Sequence, residues 1–168
     1  MIPTLIVVFF LLCGILVFLA DSAFGEPDFI TSRETINQVV GIIKQRHLER
    51  GNFYDFGSAR GHFASQIAKV LPNLRVMGID NNSFRLLVSD ARTIFLKNVK
   101  LKKENIFKTN ISTADILYIY LPNELMADLE AKLQKELKLG ALVITNKVSF
   151  PNWHPMEKIN ELYLYAKA

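Results

Sequence analysis

The pattern of apolar and polar positions divides the chain into two regimes. Residues 1–20, MIPTLIVVFFLLCGILVFLA, carry no charged side chain. At about 1.5 Å of rise per residue, a helix of this run is about 30 Å long, the thickness of a bilayer's hydrocarbon core. Residues 21–30, with Gly25 and Pro27, read as a linker. From residue 31 the pattern alternates between a period near 3.6 and short, nearly continuous apolar runs. Thr31-Ser32-Arg33-Glu34 has the form of a capping box. Ile36, Val39, Val40, Ile43 and Leu48 then recur at helical spacing, which predicts a helix of about 15 residues running toward Gly51. Strands are predicted at 52–56, 74–79, 99–103, 116–121, 141–146 and 161–165. The third reads as an edge strand and the fourth as central. Helices are predicted at 60–71, from Ser83 to about Leu96, and at 122–138, where Leu125, Leu129, Leu133 and Leu137 make one stripe.

Strand and helix alternating over short connections predict βαβ units. The expected fold is α/β, a Rossmann-like doubly wound, mostly parallel sheet covered on both faces. Such sheets bind ligands at the carboxyl ends of their strands, so functional residues are expected just after each strand.

Composition separates the anchor from the domain. Of 168 residues, 50% are hydrophobic, and this excess has two sources: the first 20 residues and the buried strands. Removing the apolar run leaves roughly 145 residues, enough to bury about two-thirds of the unfolded surface around one core. The organisation expected is an anchor at 1–20, a linker at 21–30 and one domain at 31–168. A cleaved secretory signal is the alternative, and Ala20-Asp21-Ser22 and Ala23-Phe24-Gly25 offer small residues at suitable spacing. Against it, the run is longer than a signal's apolar region and no Lys or Arg precedes it. Arg33, Lys44 and Arg46 follow the run, so the charge rule places the domain on the cytoplasmic side.

The single cysteine, Cys13, lies within the apolar run, which removes disulfides, zinc clusters and thiol nucleophiles from the domain's repertoire. His47, His62 and His154 lack metal-ligand spacing and read as surface or packing residues, so no metal is expected. Arg92, Lys97, Lys100, Lys102, Lys103 and Lys108 form a basic segment, either a solvated face or a surface against anionic lipid. The net charge of +4 is modest, and no nucleic-acid motif with interleaved aromatics is present, so nucleic acid is not an expected partner.

The candidate chemistry lies at the strand ends. Asp55-Phe56-Gly57-Ser58-Ala59-Arg60-Gly61 places two glycines four apart at a strand-to-helix turn, where a ligand can approach the backbone. A dinucleotide G-x-G-x-x-G frame fails, because Ala59 and His62 fall at its second and third glycines. That disfavours a nicotinamide dehydrogenase. A Walker loop lacks its Gly-Lys-Ser/Thr, and a nucleophile elbow fails because Ser58 adjoins the glycine directly. Asp55 puts a carboxylate in the same cleft and suits a ligand bearing a cation. Asp80, about 20 residues beyond the turn at the end of the second strand, is placed to accept ribose hydroxyls. Structural turns and helix caps are the bland alternatives for both.

Asp-x-Gly-x-x-x-Gly followed by an acid after strand two resembles class I S-adenosylmethionine-dependent methyltransferases. The stretch from Asn105-Ile106-Phe107-Lys108 through Ala114–Met126 and the 129–137 helix resembles something narrower, as does Phe150-Pro151-Asn152-Trp153-His154-Pro155. It is similar to the membrane-anchored protein-lysine methyltransferases that modify the adenine nucleotide translocase and the c-type ring protein of ATP synthase. The match runs from about residue 28 to the end. It departs at Ala59 for a glycine, Arg60 for an acid and Asn105 for an Asp. The resemblance implies a sheet of class I methyltransferase type and S-adenosyl-L-methionine as cofactor, held by Asp55, Gly57, Ser58, Ala59, Gly61, Asp80, Asn105 and Ile106. It further implies methyl transfer to a lysine amine of a membrane-associated protein, with the bilayer engaged through the N-terminal helix. Tyr120, Pro122 and Glu124 are then the catalytic candidates, with Leu121 beside them and Trp153 as a candidate aromatic wall. Pro122 also suits a first helical position and Glu124 a first-turn acid. A methyltransferase-like domain that binds a nucleoside or a protein without turnover is the alternative.

Overall fold

The computed structural model describes residues 2–24, 30–82, 93 and 95–167. The helix expected from Ser83 therefore lies almost wholly outside the described residues, as does the linker from Gly25 to Phe29.

Helix α1, Ile2–Phe24, is one uninterrupted helix with no acid in its first turn and no base in its last. It runs four residues beyond the expected end, into the predicted linker. Leu5, Val7, Phe9, Phe10, Leu11 and Leu16 each expose more than half of their surface. Among the described residues no helix is long and apolar enough to cross a membrane. The described side chains of α1 are the runs 3–16 and 18–19, each shorter than a span.

The domain is a seven-stranded sheet: β1 (Asn52–Phe56), β2 (Arg75–Asp80), β3 (Val99–Lys103), β4 (Ile116–Ile119), β5 (Leu142–Asn146), β6 (Glu157–Ile159) and β7 (Leu162–Ala166). Their order is β3-β2-β1-β4-β5-β7-β6. The first five are parallel neighbours, while β7 runs antiparallel to both β5 and β6. The order reverses between β1 and β4, so the crevice of a doubly wound sheet opens there. β3 is indeed an edge and β4 central. β6 is not expected from the sequence, because its three residues, Glu-Lys-Ile, give no apolar alternation to read.

Period-two alternation sends successive strand residues to opposite faces. Phe53, Val76, Ile116, Tyr118 and Ile144 pack with Ile36, Val39 and Ile43 of α2 (Arg33–Gln45) and with Phe63 and Ile67 of α3 (His62–Val70). Tyr54, Phe56, Leu117, Ile119 and Val143 pack on the other face with Leu129 and Leu133 of α4 (Met126–Glu136). Leu125 is not buried with that stripe, because Asn123–Leu125 is a 3₁₀ turn ahead of α4. The Phe-Pro-x-Trp segment belongs to the same face. Trp153 stacks on Phe150 with ring centroids 5.5 Å apart and lies 5.1 Å from the Tyr165 ring, so it packs against the sheet instead of walling a cleft. Glu130 Oε2 accepts from the Asn152 amide and ties the segment to α4.

Candidate functional site

β1 ends in Asp55 and Phe56, and the chain turns at once into α3. Gly57 (φ +79°), Ala59 (φ +47°) and Gly61 (φ +66°) all take left-handed conformations. The amides of Gly57 and Ser58 both donate to the Ile79 carbonyl at 3.0 Å. The Ala59 amide donates to Asp80 Oδ2 at 2.9 Å. Gly61 donates to the Ser58 carbonyl. These amides are spent within the protein, so the turn offers a ligand close backbone approach more than donors. A Cβ on Gly57 would stand 2.6 Å from Leu121 Cδ2, in addition to the strain of its positive φ.

Ala59 has the left-handed geometry that glycine adopts freely and alanine does not. Ala59→Gly relieves this strain but frees the unfolded chain, so the net gain is about 0.5 kcal/mol. A urea melt of the two proteins with a shared slope measures it.

A cavity of about 230 Å³ opens above this turn, lined among the described residues by Ile30, Thr31, Asp55, Gly57–Phe63 except Gly61, Tyr118 and Tyr120. Asp55 is 2% exposed. Its Oδ2 has no hydrogen-bond partner among the described residues. Burial pushes its carboxyl pKa up to about 7, opposed by the nearby Ser58 hydroxyl and reinforced by the Asp80 charge. A carboxylate built into the floor of a cavity without a partner is a costly arrangement unless a cation arrives to meet it.

Of the other expected site residues, Gly57, Ser58, Ala59 and Tyr120 line the cavity with Asp55, while Gly61 starts α3 at its rim. Asp80 ends β2 with Oδ2 on Ala59 and Oδ1 accepting from Asn82 N at 2.8 Å, so it braces the turn. Asn105 folds over its own turn, Oδ1 accepting from Phe107 N at 2.8 Å. Ile106 packs against the core on the α4 face. Neither is among the cavity's described lining. Pro122 is extended (φ −56°, ψ 148°) and precedes the 3₁₀ turn, so it is not a first residue of α4, and Glu124 is exposed within that turn. Neither faces the cavity among its described residues. Arg60 does line it, with its guanidinium carbon 5.7 Å from the Phe18 ring centroid, which turns the charge toward α1.

Four lining residues carry no sequence signal for the site: Ile30, His62, Phe63 and Tyr118. Thr31 joins them, since its sequence position suggests only a cap. Tyr118 faces the cavity by the same alternation that brings Tyr120 there, and it pairs in register with Asp55. Its ring stacks on Phe63 with centroids 4.0 Å apart.

Comparison with known proteins decides what this site is. The sequence pattern of the ANTKMT methyltransferase domain matches residues 55–157, most of the sheet and the whole glycine turn. The chain belongs to that family. A protein-lysine N-methyltransferase of Saccharolobus islandicus is 28% identical over 124 residues, covering 67% of this chain and 77% of that protein. A human lysine N-methyltransferase, named for the C-type ring protein of ATP synthase, is 27% identical over 124 residues, covering 72% of this chain. The chain spans about half the length of that human relative, 52%. Among solved structures, an RNA methyltransferase from Salinibacter ruber in complex with S-adenosyl-L-homocysteine superposes with a TM-score of 0.74 at 18% identity. The match covers 82% of this chain and 93% of the other, and it shows the shared fold.

The methyltransferase domain takes S-adenosylmethionine as its cofactor, and the cavity suits that molecule on its own chemistry. The methionyl part carries an ammonium and a sulfonium, and Asp55 supplies a buried, unpartnered carboxylate oxygen to the described lining of the cavity. Arg60, the cation nearest the turn in sequence, is directed at an aromatic ring and not at the carboxylate.

Proposed function

We propose that this methyltransferase transfers a methyl group to a lysine side chain of a membrane-associated protein, while α1 holds it at the bilayer with the domain on the cytoplasmic side. The observation that carries the lysine reading is at Tyr120. Lys147 Nζ lies 5.7 Å from the Tyr120 ring centroid, so this cavity wall accepts an alkylammonium on its face. The names of the archaeal and human relatives support the same acceptor. For the membrane, support comes from the uncharged run 1–20 and from the bare apolar side chains of α1. The contact of Phe18 with Arg60 brings that helix to the mouth of the cleft.

Bound in the cavity, the cofactor supplies an electrophilic methyl group on its sulfonium. The chain's residues then have three tasks. Asp55 fixes the amino-acid end by charge. The Gly57 turn lets the ligand lie against backbone. Tyr118, Tyr120 and Phe63 give aromatic walls that exclude water, which lowers the pKa of an incoming amine and favours its neutral, nucleophilic form.

Lys147 itself is a poor acceptor. Its ammonium is held above the usual lysine range by the Tyr120 hydroxyl and by Glu161.

The test is the full chain expressed in membranes, supplied with S-adenosylmethionine and read by peptide mass spectrometry. Methyl-lysine should appear on membrane proteins and be absent with Asp55→Asn. Methylation confined to soluble proteins, or to residues other than lysine, would sink the reading. Alkaline extraction should leave the chain in the membrane pellet and release a form lacking residues 2–24. Protease added outside sealed cells should leave the domain intact.

A further inference from the structure

Thr31 has the sequence position of a helix cap but does not act as one. The cap of α2 is Ser32, whose hydroxyl accepts from the Thr35 amide at 3.1 Å. Thr31 instead turns inward, 6% exposed, and its Oγ1 lies 3.1 Å from the Tyr118 hydroxyl, 87 residues away. On the far side of that hydroxyl, Asn146 Nδ2 donates to Tyr118 at 3.0 Å. Thr31, Tyr118 and Asn146 come from the segment before α2, from β4 and from β5, and all three are buried.

The direction of this chain of hydrogen bonds follows from donor counting. Asn146 donates to the Tyr118 oxygen through its amide nitrogen. The reverse orientation of the amide would leave that buried nitrogen without a partner, and orphaned buried donors are rarer than under-satisfied carbonyl oxygens. The Tyr118 proton is therefore directed at Thr31 Oγ1. Burial raises the Tyr118 pKa, so the phenol keeps that proton. Thr31 Oγ1 is then an acceptor toward Tyr118, and its own proton is left to point elsewhere. Thr31 lines the cavity together with Ile30, Asp55 and the glycine turn.

We propose that Thr31 is a cofactor-binding residue: its hydroxyl, oriented by Tyr118 and Asn146, donates to the carboxylate of the amino-acid part of S-adenosylmethionine. This rests on the cofactor of the family and deepens it. Asp55 offers only acceptors and meets the ammonium; a carboxylate on the same ligand needs a donor, and the network supplies one. Tyr118 and Asn146 are positioning residues, acting through Thr31.

Calorimetric titration of the full chain with two ligands separates this role from a merely structural one. S-adenosylhomocysteine carries the amino-acid group, and 5′-methylthioadenosine lacks it. Thr31→Val should weaken S-adenosylhomocysteine roughly tenfold to a hundredfold, the range for a hydrogen bond to a charged group, and leave methylthioadenosine unchanged. Thr31→Ser should bind both like the parent. Tyr118→Phe, which removes the orienting proton, should show a smaller loss with the same selectivity, and it carries the comparison if the valine variant does not fold. An unchanged S-adenosylhomocysteine affinity in Thr31→Val overturns the proposal, and so does an equal loss of both ligands. Failure of the parent chain to bind either ligand would instead defeat the cofactor assignment itself.

Discussion

Asp55→Asn is expected to weaken S-adenosylhomocysteine binding roughly a hundredfold or more while making the ligand-free protein more stable above pH 7. The two effects have opposite signs because they share one cause. In the free protein the carboxyl group is buried, with one oxygen unpartnered and its pKa raised to about 7 by that burial. An unfolded aspartate titrates near 3.8. Between these values the folded state holds a proton that the unfolded state has released, so stability falls as pH rises from about 4 to about 7. The full cost above pH 7 is roughly 4 kcal/mol, the shift of about three units taken at about 1.4 kcal/mol each. Asparagine has no charge to desolvate and recovers part of that cost at pH 8, but gains nothing at pH 5. Ligand binding runs the other way. An ammonium needs the ionised carboxylate, so affinity in the parent should fall about tenfold per pH unit below about 7, with proton release on binding. In Asp55→Asn the pH profile should be flat. Calorimetry in buffers of different ionisation enthalpy reads the proton release, and thermal melts at pH 5 and pH 8 read the stability change. Unchanged affinity in the variant would remove Asp55 from the cofactor site.

How much of this is legible without the structure depends on what each residue answers to. The strands at 52–56 and 99–103 are readable to the residue, because apolar runs bounded by turn residues leave little choice. Asp55 and the glycine turn are readable because strand ends are where such sheets bind ligands. Thr31 misleads for a physical reason: a hydroxyl two residues before a helix satisfies the local cap rule, and only a partner 87 residues away shows its other use. Tyr118 misleads similarly, since an aromatic in a buried strand looks the same whether it packs or orients a hydroxyl. Propensity places Pro122 and Glu124 in α4. The chain inserts a 3₁₀ turn there instead, and both residues leave the cavity's described walls. Trp153 is a candidate wall only because a lone tryptophan attracts attention; Phe150 and Tyr165 already claim its ring.

Gly78→Val is expected to cost about 3 kcal/mol of stability and to weaken cofactor binding in whatever protein still folds. Nothing in the apolar pattern marks this glycine, which sits within the run Val76-Met77-Gly78-Ile79. In register it lies between Asp55 of β1 and Leu101 of β3. A Cβ there would stand 2.5 Å from Leu101 Cδ2 and 2.9 Å from Ser58 Cβ, and closer still to the Ser58 hydroxyl. Glycine inside a strand is normally a weakness, and here it is the space into which the glycine turn folds. Any side chain at 78 must push Ser58 outward. Ser58 is three residues from Asp55 and adjoins Ala59, so the floor of the cavity would move with it. The explanation makes a sharper demand than loss of stability alone. If Ser58 is what the new side chain strikes, then Ser58→Gly should restore more than half of the stability lost in Gly78→Ala, with a coupling energy of about 1 kcal/mol or more. Restoration by Leu101→Ala alone, with no coupling to Ser58, would place the collision on β3 and leave the turn unaffected. Denaturant melts of the two singles and the double complete the cycle, and S-adenosylhomocysteine titration of the same three proteins shows whether cavity and stability recover together.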